Sequence, residues 1–563
     1  MRPVNLPSSP ILTLILYRPL STTNGRAGGA SSERDPQYIR HAYLFSLTVF
    51  IDSQGNSARV RVFRPPNVSI HILDNYSLLH IFNLCRPNLF EEDEQGSARW
   101  VHWAHERWWY KLMKVCQRWR YLILGSASLL GLCLVCSRGT PVAEMLAHSP
   151  PFPLIIFYHD NNHNLTPEDE GGIMLALEHR DRVRRIILTL PVPSLRKVIK
   201  AMDDRFPTLE VLYIVPPTTT PDPHLVLPAT FRAPQLNHLT LNHFASPIIS
   251  PLLTVAIPVG LARLFLPCLH PSTIFYPNHV SRVLSLLPQL QDLMISFSSP
   301  VNNRDVERHM LHTPNATHIT IPNLRSFSFG GVSAYLEELL SHMDAPLLQT
   351  LSVFFFNQLR FSVTHLRKFV TTAKNLRSSR VELLFYRKGV VAFMYTSVSA
   401  RYPTHHIHVG CDHFDWQVSS MAQILDVHNP LFSAVVDLTL DYRSHTLSSE
   451  WHNQADRTQW RNLLGSFRNI ETLRVHAGLV KELSRGLHLD GESPAEILPE
   501  LKRLICPTGS CDDKTFATFI DDREVAGLPV NLIEEASPAG ELDYKFETPA
   551  GIEYVKYDPV PVS

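Results

Sequence analysis

Residues 288–297, PQLQDLMISF, and 322–329, PNLRSFSF, read as one phrase written twice. Each opens on proline and places apolar residues two, five and seven positions on: Leu290, Leu293 and Ile295, then Leu324, Phe327 and Phe329. Working outward, the same apolar-x-x-apolar-x-apolar core stands at Val183/Ile186/Leu188, Leu209/Leu212/Ile214, Leu236/Leu239/Leu241 and Leu261/Leu264/Leu266. It returns at Leu348/Leu351/Val353, Val435/Leu438/Leu440, Ile470/Leu473/Val475 and Leu501/Leu504/Cys506. The last two positions of each copy lie two residues apart and so share one face of a strand. Pro207, Pro234, Pro346 and Pro499 hold the same register as Pro288 and Pro322. Proline lacks an N–H and turns its predecessor away from helix, so it separates each unit's helix from the next strand.

Between the copies lie helix-like segments, among them PSLRKVIKAMDDRF, HVSRVLSLL, SAYLEELLSHM, THLRKFVTTAKNLR, VSSMAQILDV and LVKELSRGL. Strand then helix, repeated about every 25–35 residues, predicts an α/β array of the leucine-rich-repeat kind, with parallel strands and helices on the outside. The Asn/Cys position of the strict repeat is not kept, so the solenoid is irregular. The interval from Leu348 to Val435 is long enough for roughly three units, with LFYRKGVVAFMYT and HHIHVG as degenerate strands. The alternative is a doubly wound open sheet, but no Gly-rich phosphate turn follows any strand.

Upstream, Ile70–Ser126 reads as two amphipathic helices split by an insertion. Asp74 is placed to cap the first, in which Leu78, Leu79, Phe82 and Cys85 follow at helical spacing. In WWYKLMKVCQRWRYLILGS, Trp109, Leu112, Cys116, Trp119 and Ile123 fall on one face of a single helix that Gly125 stops. A helical pair this small needs a partner for its apolar stripe.

ILDNYSLLHIFNLC followed by KVCQRWRYLILGS resembles an F-box, and residues from about 70 to 533 resemble the fungal F-box/leucine-rich-repeat proteins. The residues that carry the motif are Leu78, Leu79, Ile81, Phe82, Val115, Cys116 and Trp119. Two features depart from it. Leu73-Asp74 stands where the family has Leu-Pro, and a long insertion near 88–107, NLFEEDEQGSARWVHWAHER, parts the halves. The resemblance implies that those seven residues dock a Skp-type adaptor, and through it a cullin. The repeat domain would then hold a protein substrate for a ubiquitin ligase of the Skp–cullin–F-box type, without catalysing transfer itself. The competing reading is a repeat-based binding scaffold whose helical pair only caps the array.

Composition agrees with an adaptor. Of 563 residues 44% are hydrophobic, Lys plus Arg and Asp plus Glu are both 52, and Pro (43) outnumbers Gly (23). A balanced charge points to neither nucleic acid nor membrane as partner. The eight cysteines show no framework spacing and read as buried thiols in a reducing compartment, so a cytoplasmic or nuclear location is expected. PILTLILY (10–17) and YLILGSASLLGLCLVC (121–136) are too short to span a bilayer; the second reads as a helix end, a turn and a buried strand.

The expected domains are a disordered segment 1–66, the F-box-like module 67–128, the array 129–533 and an acidic disordered tail 534–563. No metal or other cofactor is expected. Cys133 and Cys136 form half a zinc motif without its other half. His405, His406, His408, Cys411 and His413 are dense enough to weigh, but read as an imidazole-rich strand edge. His102, His105 and Glu106 are not in zincin order. No catalytic signature occurs.

Overall fold

In the computed structural model the chain forms two compact units, Met1–Leu132 and Cys133–Ser563. The structure describes residues 73–85, 108–159 and 165–535, apart from 217–224, 226, 243–259, 270–276, 298–317, 359, 398–399, 401–402, 428–431, 444–454, 488–495 and 510–515. It also describes the strand backbone of Leu12–Ile15, Ser46–Phe50, Arg59–Val62, Phe90–Glu92, Ala98–Trp100, Leu542–Thr548 and Gly551–Tyr557.

The first unit contains α1 (Asn75–Leu84), α2 (Trp108–Met113) and α3 (Gln117–Gly125). The expected single second helix is therefore two. Cys116 is extended (φ −160°, ψ 167°) and serves as the N-cap of α3 without a side-chain bond. The break turns α3 so that Trp119 meets Phe82 edge-on, with centroids 4.8 Å apart. It also lets Arg118 donate to the Leu73 carbonyl (2.6 Å) and to Oδ1 of Asn75 (2.8 Å). These contacts offset the few helical bonds lost at Val115, whose β-branch slightly lowers its helix propensity.

The segments for which the sequence offers no pairing hold strands. Leu12–Ile15, Ser46–Phe50 and Arg59–Val62 form an antiparallel sheet, Phe90–Glu92 pairs with Ala98–Trp100 inside the insertion, and Leu542–Thr548 pairs with Gly551–Tyr557. At these strands the structure differs from the expectation of disordered ends. The apolar run 10–17, discounted as a membrane span, supplies the missing partner, because an isolated strand gains its ladder bonds only from another. The rest of 1–66 and of the tail lies outside the described residues.

In the second unit the strands of the main sheet are β1 (Leu134–Cys136), β2 (Leu154–His159), β3 (Val183–Thr189), β4 (Val211–Val215), β5 (His238–Leu241), β6 (Arg263–Leu269), β7 (Asp292–Phe297), β8 (Ser326–Gly331) and β9 (Thr350–Phe355). They continue with β10 (Arg380–Tyr386), β11 (Gly389–Tyr395), β12 (His405–Gly410), β13 (Asp437–Arg443), β14 (Thr472–Val475), β15 (Arg503–Pro507) and β16 (Asn531–Glu535). The helices are α4 (Val142–His148), α5 (Pro167–Glu178), α6 (Val192–Ala201), α7 (Pro277–Leu284), α8 (Ser333–Ser341) and α9 (Thr364–Thr372), then α10 (Phe414–Val427), α11 (Arg457–Gly465), α12 (Ala477–Leu487) and α13 (Ala517–Val525). These sixteen strands form one long, mostly parallel sheet, and Ile319–Thr320 pairs in parallel with Met343–Asp344 as a separate two-stranded sheet.

Each of the ten sequence repeats lies on a parallel strand of this sheet, with its apolar triplet buried. The proline has a definite role. It is the second residue of a turn in which the residue before it accepts from the N–H of the first repeat leucine, as in Leu209 to Phe206 (3.4 Å), Leu290 to Leu287 (3.1 Å) and Leu501 to Leu498 (3.0 Å). Just after it, one carbonyl takes two successive N–H groups from the next unit. Gln291 accepts from Arg325 (2.8 Å) and Ser326 (3.0 Å), and Arg325 accepts from Gln349 (2.7 Å) and Thr350 (2.9 Å). The backbone groups between helix and strand are thus satisfied by the neighbouring unit, which is why the units stack.

The interval from Leu348 to Val435 departs from the expected three parallel units. In the sheet, β9 is followed by β12, β11, β10 and then β13. β11 is antiparallel to both its neighbours, whereas β12 runs parallel to β9 and β10 parallel to β13. Tyr386 pairs with Gly389, so Arg387 and Lys388 alone make the turn from β10 to β11. A Cβ on Gly389 would stand 2.5 Å from the Val409 carbonyl and 2.8 Å from Nε2 of His408, so the hairpin closes only around glycine.

The last repeats are tied by Arg523, which is fully buried in α13. Its guanidinium donates to the carbonyls of Ile497 (3.1 Å), Pro499 (3.1 Å) and Leu501 (3.3 Å), around Leu498 at φ 49°. Arg523→Met keeps the stem but leaves these carbonyls without donors. It is expected to cost on the order of 3 kcal/mol in the melt of the full chain. An unchanged midpoint would show that the left-handed turn holds without it.

Candidate functional site

The helical module is built from its caps inward. Oδ1 of Asp74 accepts the Ser77 N–H (2.8 Å) and Oδ2 the Ser77 hydroxyl (3.2 Å). The backbone bond from Ser77 holds the Asp74 carboxyl below the usual carboxylate range. The residue that replaces the family's proline thus starts α1 by capping it.

The seven residues assigned to docking do not form one set. Leu78, Ile81, Phe82 and Trp119 are interior, together with Trp109 and Ile123. Leu79 and Cys116 are half-buried. Val115, in the break between α2 and α3, is exposed at 57%. Among the described residues of the first unit the other exposed large apolar side chains are Tyr76, Leu84, Tyr110, Tyr121 and Leu129, none of which the motif singled out. For Tyr76, Tyr110 and Tyr121 a signal was available, since each departs from the three- and four-residue steps of the buried stripe; Leu84, three residues after Ile81, keeps the step and carries none. Around them the described charges are mainly basic, with Lys111, Lys114, Arg118 and Arg120 against Asp74.

The array offers a second surface, the sheet face opposite the helices. One row crosses it in register: Tyr213, Thr240, Phe265, Met294, Ser328, Ser352, His406, Phe393, Glu382, Thr439 and Arg474. At its centre His406 and His408 share this face, as their spacing predicts. Nε2 of His406 lies 2.7 Å from the Ser352 hydroxyl, and Nε2 of His408 is hydrogen-bonded to the Tyr386 hydroxyl. Phe354 stands edge-on to His408 at 4.3 Å, and Phe393 lies 6.0 Å from His406. Leu384, Val391, Phe393 and Tyr395 form a buried cluster on this same face. The Tyr395 hydroxyl donates to the buried Glu382 carboxylate (3.2 Å), and Arg380 lies 3.9 Å over the Tyr395 ring. Towards β16 the face is charged. Arg474 pairs with Glu535 at 2.7 Å, and burial pushes the Asp437 carboxyl up against the pull of Arg474, Arg380 and Arg503.

His405 points to the helix side and is buried, so the dense histidines divide between two faces. Cys411 gives its thiol to the His413 carbonyl (3.5 Å). Among the described residues no three His, Cys, Asp or Glu side chains gather closely enough to hold a metal ion. His102, His105 and Glu106 lie outside the described residues. Among the described residues no helix is long and apolar enough to cross a membrane; 121–136 is a helix end, a turn and strand β1, as read from the sequence.

Burial lowers the imidazoles of this face. His238 and His406 are pushed down to about 4, and His408 to about 3, where the charge of His406 adds to burial. An unfolded imidazole titrates near 6.5, so on acidification the unfolded chain takes up protons first. Array stability should be level above pH 7, fall as pH drops from 6.5 towards 4, and flatten below the folded values. The slope expected is about 1 kcal/mol per pH unit for the fully buried His408. It is smaller for His238 and His406, which keep part of their surface open. Denaturant midpoints at pH 7 and pH 5 measure it. Equal midpoints would mean that these rings already carry charge at neutral pH or lose none of their burial on unfolding.

No protein-family model matches the chain, and no curated protein matches it. Among solved structures, a leucine-rich repeat-containing protein of Legionella pneumophila, LegL7, is similar over 70% of this chain and 98% of its own, at 12% identity and a TM-score of 0.24. So distant a likeness carries no weight, and neither the F-box resemblance nor a fungal family finds support in these comparisons. The repeat architecture rests on the strands, their register and the turns described above.

Proposed function

We propose that the protein is a non-catalytic adaptor. The helical module docks a Skp-type adaptor and through it a cullin, and the array holds a protein substrate for ubiquitin transfer. What carries the reading is the division within the module. Among its described residues the interior holds Leu78, Ile81, Phe82, Trp109, Trp119 and Ile123, yet Val115 and five further large apolar residues stay exposed. A pair of helices that only capped a repeat array would have no need of them. On the array, the half-buried members of the row, among them Tyr213, Phe265, Ser352, His406, Thr439 and Arg474, mix aromatic, hydroxyl and charged groups, as a protein-binding face does.

The test is capture of a purified Skp-type adaptor by the full chain and by Val115→Asp. A charge placed at an exposed interface anchor should weaken capture by about 2 kcal/mol or more, roughly thirtyfold, while the melt stays unchanged. If the unsubstituted chain captures no adaptor, the ligase role fails and a repeat-based binding scaffold remains.

A further inference from the structure

The strand order contains a lock that the repeat pattern does not. β1–β9 and β12 form one parallel run, and β10 with β13–β16 forms another. The strand that closes the first run, β12, follows in the chain the strand that opens the second, β10. Neither run is therefore a continuous stretch of sequence. Within the sheet they meet only across β11, antiparallel to both.

The helix layer is bridged at the same place. Phe385 of β10 lies 5.3 Å from Phe414 at the start of α10 and 6.0 Å from Trp460 of α11, and Phe414 lies 6.0 Å from Trp460. α10 follows β12 of the first run, and α11 follows β13 of the second. Three rings from the two runs thus share one cluster beneath β11.

We propose that β11, with the rings of Phe385, Phe414 and Trp460, is a joint that couples two arms of the array into one cooperative body, so that weakening it separates two arms that each stay folded. In an ordinary solenoid each unit leans on its sequence neighbours and stability is lost unit by unit from the ends. Here the arms are each built of such units, but the link between them is different in kind. β11 is buried along its whole length, on both faces, whereas edge strand β16 is largely open. Its turn with β10 closes locally and at little entropic cost, while the pairing of Leu351 with His405 closes a far longer loop. Anything bound across Ser352, His406, Thr439 and Arg474 would touch both arms, so its binding would bear on the joint.

Amide exchange of the full chain across a denaturant series tests this, on the unsubstituted protein and on Gly389→Val, whose new side chain collides with Val409 and His408. In the unsubstituted chain, β4 and β14 should lose protection at one common denaturant concentration. In Gly389→Val, exchange at 389–395 and 405–410 should quicken by about tenfold or more, and β4 and β14 should lose protection at two separate concentrations. Tyr386→Phe, which removes the hydroxyl bonded to His408 and adds no bulk, gives the same reading in milder form should the valine chain fail to fold. A single shared concentration in a variant whose 389–395 exchanges faster would overturn the proposal. So would stepwise loss from β1 and β16 inwards in the unsubstituted chain.

Discussion

Trp460→Ala is expected to lower the stability of the array by about 3–5 kcal/mol. The indole is fully buried and touches rings from both arms, Phe385 and Phe414. The stem of the side chain is met by Gly486 of α12, where even a Cβ would stand 2.7 Å from the Cβ of Trp460 and 3.0 Å from its Cγ. The neighbour that faces the ring therefore has no side chain with which to fill the space left by truncation. Cavities that cannot collapse fall at the costly end of large-to-small replacements. Trp460→Phe keeps an aromatic partner for both rings and should recover most of the loss. Gly486→Val should be harmful in the opposite sense, by overpacking, at about 1–3 kcal/mol. Denaturant melts of the full chain read all three. A loss under 1 kcal/mol for the alanine variant would mean that the helix layer repacks freely.

Trp119→Ala should have a comparable effect on the helical module, about 3–5 kcal/mol, and should abolish the proposed docking by unfolding the module rather than by removing a contact. Trp119 is interior and meets Phe82, itself fully buried, edge-on at 4.8 Å. Such a pair contributes about 0.5–1.5 kcal/mol beyond its buried area. The adjoining Arg118, which ties α3 to the start of α1, is placed by the same helix. Limited proteolysis of the full chain separates the outcomes. Trp119→Ala should open residues 108–132 to cleavage, whereas Val115→Asp should leave them resistant. Ile81 is also interior, so a charge there reports on folding and says nothing of docking. A protease-resistant Trp119→Ala chain would return that residue to the surface set.

The repeat strands were legible because everything that fixes them is local. A proline, a turn closed by the next leucine, and apolar residues at fixed offsets lie within eight positions, as in 288–295. Helix α5 begins in an equally local way, the Thr166 hydroxyl accepting the Asp169 N–H at 3.1 Å. The candidate site was legible only in part. The motif located the module's apolar residues, but helical periodicity drew one continuous helix through Cys116. It could not divide core from surface, since Val115 and Ile81 are equally apolar as letters.

By itself, then, the sequence determined where the parallel strands and most helices of this chain fall, and that they stack as repeats. Tertiary structure alone decided the order of β9 to β13. GVVAFMY has no alternation because both its faces are buried, so no period betrays which strands flank it or in which sense it runs. That choice depends on residues far apart in the chain, such as Leu351 with His405 and Arg380 with Asp437. It also depends on a glycine whose value lies in what a side chain there would strike. The break at Cys116 was decided in the same way, by a ring and a guanidinium finding partners more than thirty residues upstream. Local propensity sets the pieces, and where two arrangements differ little in local energy the packing between distant residues selects one.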